Sequence, residues 1–306
     1  MLAEPNRADS GVDQRRERKT LENMGATLFS RLIAKLTAIE MAGGPRRGAN
    51  RLALGRFSAN DCAMSLDVVD LRAFYDSPLG EVARRLVSRV LRARWESQTV
   101  GQRVLGIGYA TPYLDDYKTQ AQRVLAFMPA AQGVVHWPLN GRSASALVDA
   151  TMMPLPDAAI DRILVIHALE TGEHPRDLLE EIWRILAPGG RVIIVAPSRT
   201  GLWARLDTTP FGQGHPYSRG QLHDLLQETL FLPVFWGEAL YVPPFERPSL
   251  LRSAPAFERI AGRFSLPGGG VHVVEATKQL FRPVSLRRAV RRAAPELEPA
   301  MEPVGA

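Results

Sequence analysis

The sequence predicts an α/β domain: a doubly wound (Rossmann-like), mostly parallel sheet with a late antiparallel edge strand. Three observations carry this. Apolar runs of strand length recur along the middle of the chain, with helical patterns among them. One helical pattern ends on "APGG" just before another such run. Two further apolar runs come late, separated by a Pro- and Gly-rich insertion.

The runs are 102–108 (QRVLGIG), 122–128 (QRVLAFM), 160–167 (IDRILVIH) and 191–196 (RVIIVA), with a weaker one at 144–149 (ASALVD). Near-continuous apolar character suits parallel strands covered on both faces. Parallel strands need right-handed crossovers, and helices usually supply them. Residues 79–94 carry Leu79, Val82, Ala83, Leu86, Val90 and Leu91 on one stripe. Residues 175–187 do the same with Leu178, Leu179, Ile182, Ile185 and Leu186, starting at Pro175 and stopping at Pro188-Gly189-Gly190. Residues 218–230 begin with Ser218 as N-cap and place Leu222, Leu225 and Leu226 on one face. The late runs 233–242 and 271–280 pair with each other and add the antiparallel edge; the insertion between them has a helical stretch around 248–262.

The two ends differ in composition. Residues 1–63 combine the charge run "DQRRERKT", one amphipathic stretch and the loop-like "AGGPRRGANR", and read as a non-domain extension, with Met64 a plausible initiator. Residues 282–306 are Arg-rich, then Pro- and Glu-rich, and read as a disordered tail. The domain is then 64–281. Much of the net charge of +6 lies in these ends, and no aromatic residues interleave with Arg287, Arg288, Arg291 and Arg292, which argues against nucleic acid as a partner. No apolar run is long enough to span a membrane. The single Cys62 excludes an intrachain disulfide, and the six histidines show no metal-ligand spacing. A cytoplasmic location fits these features.

The order of elements, with "VLGIGYATPYL" (104–114), "LVDATMMPLPDAAIDRILVIHALE" (147–170) and "LLEEIWRILAPGGRVIIVAPSR" (178–199), resembles class I S-adenosylmethionine-dependent methyltransferases, in particular the type 11 branch. The stretch 199–222 is also similar to a group of bacterial methyltransferase-like proteins. The resemblance covers most of 70–280. It implies S-adenosyl-L-methionine as cofactor and a small or medium-sized molecule as substrate. It also implies that Gly106, Gly108 and Ala110 form the cofactor loop after strand one, with Thr111 as N-cap and Pro112 at the first helical position. Asp149 and Ala150 take the adenine edge, and Phe127 and Met128 pack on the adenine or belong to the core. The family's ribose-binding acid falls near Phe127 or Met128, where this chain has none. Asp115 or Asp116 would have to reach in from the first helix. Asp161 reads as a structural hydrogen-bonding residue.

His167 ends strand four and is expected to face the crevice, where an imidazole can serve as base. His215 and Tyr217, on the loop after strand five, are expected on the substrate side, with Gly212 and Gly214 as lid hinges. Trp203, Phe211 and Trp236 wall a pocket or belong to the core. Two other functions compete with a methyltransferase. One is a non-catalytic, methyltransferase-like binding protein. The other is a nicotinamide oxidoreductase, which needs Gly-x-Gly-x-x-Gly; after Gly106 and Gly108 this chain has Thr111.

Overall fold

The computed structural model describes residues 66–245, 254–255, 258 and 268–280. The extension 1–63, Met64, the tail 282–306 and most of the stretch 248–262 lie outside the described residues. Seven strands form one sheet: β1 (Arg103–Gly108), β2 (Arg123–Pro129), β3 (Ser145–Val148), β4 (Ile160–Ile166), β5 (Leu186–Pro197), β6 (Phe231–Ala239) and β7 (Val271–Lys278). Their order is β3-β2-β1-β4-β5-β7-β6. The first five are parallel; β7 runs antiparallel to both β5 and β6.

The antiparallel edge is therefore present, with β7 inserted one place in from the rim. Burial explains the placement. Val271 to Ala276 are all buried, as an interior strand requires, whereas β6 exposes Leu232 and Val234 and carries Pro233 at the rim, where a missing N–H is tolerated.

Side chains alternate across the sheet. Val104, Leu164, Ile166, Ile193 and Val195 face one layer, and Leu105, Ile107, Ile163, Val165 and Ile194 the other. The first layer holds α1 (Val68–Asp76) and α2 (Pro78–Trp95); the second holds α4 (Pro175–Ile185) and α5 (Arg219–Glu228). Ser218 caps α5 with a complete capping box through Gln221, as the sequence predicts. The nine-residue helix α1, too short for a clear periodic pattern, is not anticipated by the sequence.

Two local expectations are corrected. Thr111 is not an N-cap: α3 (Thr111–Leu114) already includes it, and Ala110 at the cap position makes no side-chain bond. This helix lasts one turn, tightens into a 3-10 turn at Asp115–Tyr117, and gives way to β2. Helix α4 stops at Ile185, because Leu186 is extended and pairs with Ile160; the Pro-Gly-Gly is a bulge inside β5, with Gly189 at φ +74.

Charged pairs tie the layers together. Asp161 accepts from Arg103 N, Nε and Nη2 at 2.9, 2.9 and 2.8 Å, joining β4 to β1. Glu275 on β7 is fully buried and accepts from Arg94 Nε (2.8 Å), Arg191 Nη1 (3.0 Å) and Trp95 Nε1 (3.3 Å). At the other end of the sheet, the connections 130–144 and 149–159 contain no helix.

A candidate ligand cleft beside the first strand

A cleft of about 770 Å³ opens where the chain leaves β1 and β2. Tyr109, Thr111, Pro112 and Asp115 line it from the segment after β1, and Val134 to Trp137 with Leu139 line it from the segment after β2. α1 contributes Val68, Val69, Arg72, Tyr75 and Asp76, and α2 contributes Arg84. Open α/β sheets bind ligands outside the carboxyl ends of their strands, and the volume lies in the range of small-molecule sites. Val69, Val134 and Leu139 are exposed and all belong to this wall.

The segment 130–144 is long for a structureless connection, and such segments are commonly functional. It is held firmly. Gln132 Nε2 donates to the His167 carbonyl at 2.8 Å, and Gln132 O accepts from Val68 N at 2.8 Å. Trp137 N donates to Ser145 Oγ at 3.2 Å, and Val135 N meets Met128 Sδ at 3.4 Å.

Behind the cleft wall runs a buried polar chain. Tyr75 Oη bonds Tyr113 Oη at 3.0 Å and His167 Nε2 at 2.9 Å; His167 Nδ1 lies 3.2 Å from Glu170 Oε1. The Tyr75 ring stacks on Tyr109, with centroids 5.6 Å apart and planes 24° apart. Burial raises the Tyr75 hydroxyl well above its ordinary pKa, with Tyr113 adding to the effect. Burial also raises Tyr109, to about 12, and the Asp76 charge adds to it. Both phenols are therefore neutral donors at pH 7.

Of the residues expected from the sequence, Thr111, Pro112 and Asp115 line this cleft, whereas Gly106, Gly108, Ala110, Met128, Asp149, Ala150, His167, His215 and Tyr217 do not. Gly106, Gly108, Ala110 and Met128 are all buried. A Cβ on Gly106 would sit 2.7 Å from Ala110 Cβ and Leu114 Cδ1; on Gly108, 2.1 Å from the Ile166 carbonyl. The two glycines thus let α3 and β4 pack closely, and the loop meets the cleft through its non-glycine residues. Asp149 accepts from Thr151 N and Oγ1 at 2.8 and 2.7 Å, closing its own turn, while Ala150 packs on the second core layer.

His167 departs from its expected place. It is 0% exposed, sealed by Tyr75 and by Phe211, whose ring centroid is 4.7 Å away, and it orients Tyr75 rather than facing the cleft. Its φ of +55 is an uncommon, strained value for a residue other than glycine. His215 is exposed and donates its N–H to the Glu170 carbonyl; Tyr217 Oη donates to the Leu169 carbonyl at 3.1 Å. Trp203 and Phe211 are core, and Trp236 packs beside the second core layer.

Sequence reasoning missed Tyr75, Tyr109, Arg84 and Trp137. A usable signal was the "VVHWP" run in a crossover with no helical pattern.

S-adenosylmethionine needs acceptors for its ribose hydroxyls. Strand β2 ends without an acid, in agreement with the sequence, but Asp115, ion-paired with Lys118, lines the cleft together with Tyr109 and Thr111. The residues present therefore suit the cofactor through a set carried by the segment Tyr109–Asp115 that follows β1. Among the described residues no group of three or more His, Cys, Asp or Glu could hold a metal ion, and no helix is long and apolar enough to cross a membrane.

Residues 99–194 match the family described as "Methyltransferase domain". No curated protein matches the chain. One similar solved structure is a chain of the complex between the Haloferax volcanii Trm112 methyltransferase activator and a methyltransferase: 15% identity and TM-score 0.51, over 69% of this chain and 97% of that one. A SAM-dependent methyltransferase from Thermotoga maritima is 16% identical with TM-score 0.48, over 69% and 96%. The [4+2]-cyclase SpnF is 21% identical with TM-score 0.46, over 65% and 81%. The strand order with its antiparallel seventh strand is that of the methyltransferase fold, and residues 99–194 within it match the methyltransferase-domain family.

Proposed function

We propose that the protein is an S-adenosylmethionine-dependent methyltransferase acting on a small or medium-sized molecule. The observation that carries this reading is the cleft at the ends of β1 and β2, with hydroxyl and carboxylate groups on the segment Tyr109–Asp115. When bound, the cofactor supplies a sulfonium methyl group for in-line displacement. The chain's part is positioning and exclusion of water. Asp115 accepts from the ribose diol in place of a strand-two acid, and Thr111 and Tyr109 add hydroxyl donors. Tyr75, fixed from behind by His167 and Tyr113, keeps the cleft wall rigid. No general base is required of His167.

Calorimetric titration with S-adenosylmethionine and S-adenosylhomocysteine tests this. Saturable heat is expected, and Asp115→Asn should weaken binding about tenfold, the worth of one charge-assisted hydrogen bond. Absence of both heat and thermal stabilisation at millimolar ligand would sink the reading.

A non-catalytic binding protein is the second reading. It is favoured by the glycine packing: atoms of Ala110, Leu114 and Ile166 occupy the space beside Gly106 and Gly108. The same titration separates the two.

A further inference from the structure

The connection 130–144 is tied at its base and open at its tip. Ala144 N donates to the Trp137 carbonyl at 2.6 Å, and the Ser143 and Ser145 hydroxyls bond each other at 2.9 Å. Between these ties, Pro138 to Arg142 make no hydrogen bond or ion pair with any described residue, and Leu139 to Arg142 are exposed. The tip carries Asn140 followed by Gly141.

An asparagine carboxamide carbon lies within reach of the next residue's backbone nitrogen, and attack by that nitrogen closes a five-membered ring. Two things ordinarily hold this back. The next side chain crowds the approach, and hydrogen bonding fixes the nitrogen in place. Neither operates at Asn140. Glycine has no side chain to crowd the nitrogen, and even a Cβ built on Gly141 would meet nothing within 4 Å. The φ of Gly141, +101, is one that glycine alone adopts readily. The Gly141 N–H donates to no described acceptor, and the Asn140 carboxamide has no described partner.

The other candidates are held or crowded. Gln132, before Gly133, is buried and donates to the His167 carbonyl; Gln213, before Gly214, donates to the Asp207 carbonyl at 3.2 Å. The four other asparagines, Asn6, Asn23, Asn50 and Asn60, precede Arg7, Met24, Arg51 and Asp61, each with a full side chain.

We infer that Asn140 is a site of spontaneous covalent modification, passing through a succinimide to aspartyl and isoaspartyl products. The Gly141 nitrogen gives its proton to solvent and attacks Asn140 Cγ. The N–Cγ bond forms; the Cγ–Nδ2 bond breaks, and the nitrogen takes up a proton and leaves as ammonia. Water then opens the ring. Attack at Cγ gives an aspartyl residue, and attack at the backbone carbonyl gives an isoaspartyl residue whose chain runs through Cβ. Leu139, the preceding residue, lines the cleft. Either product therefore sets a negative charge at the cleft rim, and the isoaspartyl product also lengthens the main chain there. The inference stands independently of the methyltransferase reading.

The test keeps the full folded chain in warm, mildly alkaline buffer and follows each asparagine by peptide mass spectrometry over days to weeks. Conversion at Asn140 is expected to run several-fold faster than at any of the other four asparagines. Its rate in the folded chain should lie within about tenfold of the rate in guanidinium-unfolded chain, because no local opening has to precede the attack. Gly141→Ala, with folding confirmed by circular dichroism, should slow it several-fold by crowding the nitrogen. Four results would overturn the inference: an intact Asn140 after weeks, a rate no greater than that of the other asparagines, a folded-state rate suppressed by more than about tenfold, or a Gly141→Ala chain that converts as fast as the parent.

Discussion

His167 Nε2 lies 2.9 Å from Tyr75 Oη, and both side chains are buried. This bond joins the end of β4 to α1, across the place where the sheet reverses its strand order. On its other side, His167 Nδ1 lies 3.2 Å from Glu170 Oε1. The imidazole thus has both nitrogens engaged inside the protein, which is why it is not placed to take a proton from a substrate.

Tyr75→Phe keeps the ring and its stacking but leaves His167 Nε2 and Tyr113 Oη each without this partner. A buried polar group deprived of its bond costs about 1–3 kcal/mol. Urea unfolding should show a loss in that range, with an unchanged m-value.

Gly108→Ala separates a packing glycine from a cofactor glycine. The position has φ +77, and a Cβ would meet the Ile166 carbonyl at 2.1 Å. Thermal unfolding should fall by several degrees with no ligand present, because the clash is with β4; about 1–3 kcal/mol is the usual scale for such strain. Unchanged stability with lost S-adenosylmethionine binding would reverse this assignment.

Glu275 carries the pH dependence. Burial alone would raise its pKa, but hydrogen bonds from Arg94 and Arg191 outweigh that and hold it below the ordinary 4.5. A lowered folded pKa gives stability that is present above pH 4.5 and lost as pH falls through the folded value. Glu275→Gln should cost about 3–5 kcal/mol at pH 7, since it leaves two partly buried arginines unpaired. The gap between parent and variant should narrow as pH drops below 4.5, measured by urea midpoints across pH 3–7.

Ser218→Ala removes one half of the capping box at α5. A loss of about 1 kcal/mol is expected in urea unfolding, with Ser218→Asn recovering most of it.

The sequence by itself determined the sheet, its parallel core, the antiparallel late pair and the cap of α5. These follow from local periodicity and turn chemistry, which a short window of residues contains. It also showed correctly that no acid stands at the end of β2. What it could not show is which way each residue of a loop points. Gly106 and Gly108 belong to a sequence pattern shared by loops that approach a ligand and loops that approach a helix or strand; only the positions of Leu114 and Ile166 decide between them. His167 was legible as the end of β4, yet its burial depends on Tyr75, ninety-two positions earlier in the chain. The candidate cleft likewise draws Arg84, Tyr109 and Trp137 from three separate segments. Tertiary packing alone brings them together, because the burial that fixes each side chain comes from residues remote in the chain.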